Sequence, residues 1–190
     1  MPDLGSPRRF TSHLSRLEPE HYRGQAFVFW THTIEDRRTG WLDPVCHRVF
    51  REIMLHTAVR EHLLCPIYTL MPDHFHLVWC GCASASDQRS ASLFLRQHFA
   101  PQIAPYAFQH QPHDRVLRDN ERERLAFSAT CDYIADNPVR KELVIRPGDW
   151  PYTGCIVPGY PNLHPLVGDF WEIFWRVFNA AVERGHFGKI

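Results

Sequence analysis

The segment Cys65–Cys80, CPIYTLMPDHFHLVWC, constrains the fold more than any other part of the chain. Two apolar runs rich in aromatic and branched residues flank Pro72-Asp73, a turn dipeptide, so the segment reads as a buried β-hairpin. Residues two apart on a strand share a face. His74 and His76 therefore point the same way, roughly 6–7 Å apart at the backbone, while Phe75 points into the other side. Polar rings at the centre of an apolar hairpin are unfavourable unless something engages them. Two imidazoles at that spacing are close enough to share a metal ion.

Elsewhere the chain is ordinary for a folded domain. It has 190 residues, 44% of them apolar and 22% charged, enough to bury a sizeable core as one domain. Lys+Arg and Asp+Glu are both 21, so any nucleic-acid affinity must come from local basic surface. The six cysteines form no CxxC pair and read as reduced thiols in a cytoplasmic protein. Residues 1–22 are polar and broken by Pro2, Pro7 and Pro19, unlike a signal peptide, and no apolar run is long enough for a membrane span.

The reading along the chain is as follows. Residues 1–24 form a polar arm. Ala26–Ile34 is a strand, and Glu35–Gly40 a charged loop carrying Arg37 and Arg38. A helix runs from Pro44 to about Leu64, opened by Asp43 as N-cap and Pro44 at its first position. The hairpin follows, then a helix over about Ser92–Ile103 and a short strand within Ala107–Leu117. Asn120-x-x-Glu123 resembles a capping box opening a helix that Pro138 ends near Asn137. Pro147–Gly168 reads as a surface connection, and Asp169–Arg184 as an amphipathic helix with Phe170, Phe174, Val177, Phe178 and Ala181 on one stripe. The order β-α-β-β-α-β-α predicts an α+β fold: an antiparallel sheet, the histidine strand central, with helices mainly on one face.

The helix before Pro138 supplies a second group of chemical side chains. Phe127, Cys131 and Ile134 form its apolar stripe. Tyr133 lies about 100° from Ile134 and so at the stripe's edge, one turn before Asn137. A hydroxyl at such an edge is placed for chemistry, and an amide oxygen one turn on is a neutral metal donor. Each feature alone is more often structural: His-x-His on a strand, a boundary tyrosine, an asparagine before proline.

Together, these residues resemble a known family. MPDHFHLVW is similar to the histidine–bulky hydrophobe–histidine (HUH) motif of the single-tyrosine transposases. YIADNPVRKELV, Tyr133–Val144, resembles the second signature of their branch associated with repetitive extragenic palindromes (REP). HDRVLRDNE and DWPYTG resemble the segments before and after that helix. The resemblance spans roughly residues 22–155, so the chain divides into an arm (1–24), a transposase-like catalytic domain (25–155) and a connection with C-terminal helix (156–190). It departs at Asp73, where the family often has Asn, a turn position expected to matter little.

The resemblance implies a ferredoxin-like sheet with helices. It implies a divalent metal, Mg²⁺ or Mn²⁺, on His74, His76 and Asn137. It further implies Tyr133 as nucleophile on single-stranded DNA, forming a 5′-phosphotyrosine that is later rejoined without ATP. The expected partner is hairpin or palindromic DNA, and the expected assembly a monomer or homodimer. A phenol of pKa about 10 needs help at neutral pH, which a metal on the phosphate supplies. Arg140 and Lys141 follow the catalytic helix and could grip phosphates. Arg115 and Arg118 form a second candidate DNA-binding group, and Arg37 and Arg38 a third. Two alternatives use the same residues: a non-catalytic descendant that binds hairpin nucleic acid, and a metal-dependent phosphodiester hydrolase in which Tyr133 is only structural.

Overall fold

The computed structural model describes residues 16–117 and 126–185. Among them run β1 (Phe27–Thr33), α1 (Pro44–Arg60), β2 (Leu63–Met71), β3 (His74–Gly81), α2 (Gln88–Phe99), β4 (His113–Leu117), α3 (Ala126–Arg140), β5 (Thr153–Ile156) and α4 (Phe170–Arg184). The strands form one antiparallel sheet in the order β4-β1-β3-β2-β5, with the histidine strand β3 at its centre. The first four strands with α1 and α2 make the expected ferredoxin-like α+β unit, and β5 extends its edge.

Every residue of β2 and β3 is buried, which requires cover on both faces. Helices α1 and α2 supply one cover. Phe50, Met54, Leu95 and Phe99 pack there against Trp30, Tyr68, Phe75, Leu77 and Trp79. Helices α3 and α4 supply the other, over Phe27, Ile67, Val78 and Cys80. The sequence reading placed the helices mainly on one face. That holds for the ferredoxin-like unit, but α3 and α4 lie on the opposite one. The hairpin's apolar residues fall on both of its faces rather than on one, which calls for cover on each.

Aromatic rings fix α3 in place. Phe27 meets Phe127 at 5.3 Å and Phe178 of α4 at 5.4 Å, and Phe127 meets Trp175 at 5.5 Å. Such pairs are worth about 0.5–1.5 kcal/mol each beyond area burial. Helix α4 thus clamps α3 onto the sheet, and with it everything α3 carries.

Several boundaries differ from the sequence reading. Helix α1 ends at Arg60, because His62 takes a left-handed φ of 52° and Leu63 joins β2. Helix α2 starts at Gln88, its first amides held by the Asp87 carboxylate. The helix thus begins four residues ahead of the expected start at Ser92. Pro138 does not stop α3. It sits within the last turn, where its missing N–H costs one bond, and the chain turns at Glu142 with φ 56°. The capping-box start at Asn120 lies outside the described residues. Thr153–Ile156, read as surface connection, is a buried strand on β2; its Gly154 meets Tyr68 so closely that no Cβ fits. The arm is docked at its end, with Tyr22 fully buried and hydrogen-bonded to Asp114. All six cysteines are buried and none is in a disulfide.

Two histidines outside the site, one buried and one half-buried, contribute to the fold's response to acid. His32 stacks on Phe75 at 4.6 Å, and neither ring nitrogen has a partner. Burial, then the nearby Arg96 and Arg16, hold its pKa well below the ordinary value. The Tyr68 hydroxyl accepts from Arg51 (2.8 Å) and is hydrogen-bonded to His47 Nε2 (2.9 Å). Burial, then Arg51, lower His47 to about 4. In the unfolded chain both titrate near 6.5. Between about pH 6.5 and 4 the unfolded state therefore binds more protons, so stability rises with pH and is lost on acidification. The urea midpoint is expected to be level above pH 7 and to fall steadily from pH 6.5 to 4, with His47→Gln flattening part of that fall. A midpoint independent of pH across this window contradicts the neutral assignment.

Candidate metal and nucleophile site

The site lies on the sheet face under α3. His74 and His76 occupy successive positions of that face on β3, and both are 6% exposed. Their Nε2 atoms stand 3.0 Å apart. Across the sheet, Thr31 of β1 and Thr69 of β2 flank His76.

The other ring nitrogens decide which tautomers are present. His74 Nδ1 lies 2.6 Å from the Asp73 carboxylate, which only accepts, so Nδ1 carries the proton and Nε2 is bare. His76 Nδ1 meets the Thr31 hydroxyl at 2.9 Å, which can donate or accept. In the arrangement seen, His76 Nε2–H donates to His74 Nε2. Rotation of the Thr31 hydroxyl lets His76 carry its proton on Nδ1, freeing both Nε2 lone pairs toward one point. Burial, then the neighbouring His74, lowers His76 to about 3; burial also lowers His74, against the opposing pull of Asp73. Both rings are neutral at pH 7, as metal ligands must be.

Helix α3 brings Tyr133 against this pair. Its ring is 5.7 Å from that of His76 and meets Phe29 edge-on at 6.2 Å. Asn137 follows one turn later and Lys141 one turn beyond, on the same stripe. Tyr133 thus rests on His76, and Lys141 lies close enough to His74 to disfavour its protonation. Asn137, between them, is 4% exposed, and its Oδ1 has no hydrogen-bond partner. An orphaned buried carbonyl oxygen is uncommon and calls for an explanation. Two bare imidazole nitrogens and this oxygen are a donor set suited to a divalent cation that keeps open positions. Among the described residues, no group of three or more His, Cys, Asp or Glu could hold a metal. Asn137, an amide, is not of those residue types.

The basic residues sort differently from the sequence reading. Arg140 lies over the Tyr133 ring at 4.8 Å, and Lys141 is exposed. Arg115, opposite Phe29 across the β1–β4 ladder, lines a concavity of about 500 Å³ with Ala126, Ala129, Thr130 and Tyr133. Arg118 lies outside the described residues. Arg38 packs over Tyr106 at 4.9 Å. Arg37 donates to Asp73 at 2.8 Å. Asp73 therefore matters more than its turn position suggested, since it links Arg37 to His74. Burial works to raise its carboxyl, but the hydrogen bonds from His74 and Arg37 outweigh this and hold it below its ordinary value. His113, on the same face opposite Thr31, was missed by sequence reasoning, and its charge also bears on His76. Strand pairing, invisible to motif reading, brings it there.

No helix among the described residues is long and apolar enough to cross a membrane. No family model matches the chain, and no curated protein does. A solved structure does: that of a REP-associated tyrosine transposase bound to a REP hairpin, with a TM-score of 0.62 at 20% identity over 75% of this chain and 81% of that one. At that identity the likeness speaks for architecture. The chain has the fold of a REP-associated tyrosine transposase.

Proposed function

We propose that this chain nicks and rejoins single-stranded DNA, using Tyr133 as nucleophile beside a divalent metal held by His74, His76 and Asn137. The observation that carries the reading is a pair of neutral imidazoles under the Tyr133 ring, with an unpartnered buried amide oxygen one turn further along the same helix. When bound, Mg²⁺ or Mn²⁺ would supply Lewis-acid charge on a non-bridging phosphate oxygen.

The chain's own residues do the rest. Tyr133 Oη attacks phosphorus, the new P–O bond forms, and the bond to the 3′ oxygen breaks. The products are a 5′-phosphotyrosine and a 3′ hydroxyl; the phenolic proton leaves to water and the departing oxygen takes one up. Arg140 over the ring favours the developing phenolate. Phe29 and His76 hold the ring's orientation. Attack by the 3′ hydroxyl reverses the step, and because the phosphoester is conserved no ATP is consumed. Arg140, Lys141 and Arg115 border Tyr133 or the histidines and would hold the flanking phosphates.

With a net charge of zero, strong sequence-blind duplex binding is not expected, whereas single strands can also stack on aromatic rings. The test is a hairpin oligonucleotide with a single-stranded flank against a blunt duplex of the same sequence, with Mn²⁺. The flanked hairpin is expected to bind more tightly and to be the form that is cut. The double substitution Arg140→Ala, Lys141→Ala should weaken its binding and flatten the salt slope by about 0.7 per lost contact. Equal affinity for both DNAs at physiological salt refutes the strand preference, and absence of cleavage with binding intact favours a non-catalytic binder.

A further inference from the structure

The opposite face of the sheet carries a second basic concavity, of about 530 Å³, which the proposed chemistry does not use. Four arginines line it: Arg16, Arg23, Arg89 and Arg96. Arg89 and Arg96 lie two turns apart on α2, so they share a stripe, with Ser92 between them. Trp30 of β1 forms part of the wall, with Arg16 over its ring at 5.8 Å.

The charges are incompletely neutralised. Arg16 pairs with Asp114 at 3.1 Å, and Arg23 with Asp87 at 3.0 Å. Arg89 and Arg96 have no carboxylate partner among the described residues. Arg89 is exposed and lies 6.0 Å from the Tyr22 ring. Arg96 spends Nη2 on the carbonyls of Gln109 and His110 and rests on Phe108 at 4.9 Å. Its Nη1 is buried with no hydrogen-bond partner. Burial, then Arg16, even lowers the Arg96 pKa, so two like charges stand close together here. An anion with several oxygens between them would relieve that repulsion.

Strand β4 says which anion. It is an edge strand, and its residues alternate between the two concavities. Asp114 pairs with Arg16 on this side, while Arg115 lines the Tyr133 concavity on the other. The two concavities therefore stand back to back across one edge strand, and a flexible strand leaving Tyr133 needs only to bend round that edge.

We propose that the Arg16, Arg23, Arg89 and Arg96 concavity binds backbone phosphates of a single-stranded nucleic acid, as a second grip on the strand engaged at Tyr133. In naming the ligand it rests on the DNA-processing reading; as a phosphate site it stands independently. Arginine modification with phenylglyoxal, read by mass spectrometry, tests it on the wild-type chain. One arm contains the flanked hairpin oligonucleotide and a second contains inorganic tripolyphosphate. DNA is expected to protect Arg89 and Arg23 at least severalfold while exposed Arg48 on α1 is modified as before.

Charge reversal at the exposed position, Arg89→Glu, should weaken hairpin binding about tenfold at moderate salt and flatten the salt slope by about 0.7 or more. Cleavage of a short oligonucleotide covering only the scissile region should be unchanged. Protection by tripolyphosphate from a chain that binds no DNA upholds the phosphate site and removes the DNA reading. Hairpin binding with neither Arg89 protection nor an Arg89→Glu effect overturns the proposal, as does failure of both DNA and tripolyphosphate to protect.

Discussion

Tyr133→Phe is expected to eliminate the covalent protein–DNA adduct on denaturing gels and to reduce nicking by on the order of a thousandfold or more. The substitution removes one oxygen and little else. The ring keeps its edge contact with Phe29, its place beside His76 and the guanidinium of Arg140 above it. Stability and hairpin affinity should therefore be nearly unchanged, so the lost adduct reads out the hydroxyl alone. Three outcomes tell against the assignment. An adduct that persists through Tyr106, Tyr152 or Tyr160 places the nucleophile elsewhere. Nicking without any adduct in the wild type indicates a water nucleophile, hence the hydrolase. Binding without nicking indicates a descendant that retains the surface and not the reaction.

What the chain discloses before folding is uneven, for physical reasons. The histidine pair was legible because a strand's period of two fixes relative direction locally. Tyr133 and Asn137 were legible because a helix does the same with its own period. The central place of β3 agrees with the buried apolar cluster Leu77–Cys80 that follows the two histidines. By contrast, the partnership of Asp73 with Arg37 and His74 depends on how the loop after β1 meets the hairpin turn, which no local period encodes. Strand β5 was hidden because four residues after a Pro-Gly turn give too short a pattern. The arginine concavity joins residues from the arm, β1, α2 and the segment before β4, four parts of the sequence that only the fold brings together. Pro138 shows the opposite failure. The local rule was sound, but a helix held by Phe127, Cys131 and Ile134 against the sheet tolerates one absent bond in its final turn.

The second large effect concerns the metal. His74→Ala with His76→Ala is expected to abolish metal-dependent cleavage and to remove Mn²⁺ binding, measured directly by electron paramagnetic resonance on DNA-free protein. Asn137 alone, a neutral amide, is a weak ligand without the two imidazoles. Folding should survive, because the rings' hydrogen bonds run to each other, to Thr31 and to Asp73, the last of which keeps its partner Arg37. The double variant should even lose less stability in acid than the wild type. His76 is held near 3 by burial and its neighbour, against about 6.5 when unfolded, so its removal deletes a group that favours the unfolded state as pH falls through that window. Asp73→Ala separates positioning from ligation. It leaves both Nε2 atoms in place but frees His74 to carry its proton on either nitrogen, so Mn²⁺ affinity should fall about 10–100-fold rather than vanish. Asp73→Asn, whose side-chain oxygen can still accept from Nδ1, should recover much of it. If the double variant binds Mn²⁺ as tightly as wild type, His74 and His76 are not the ligands, and the orphaned Asn137 oxygen needs another explanation.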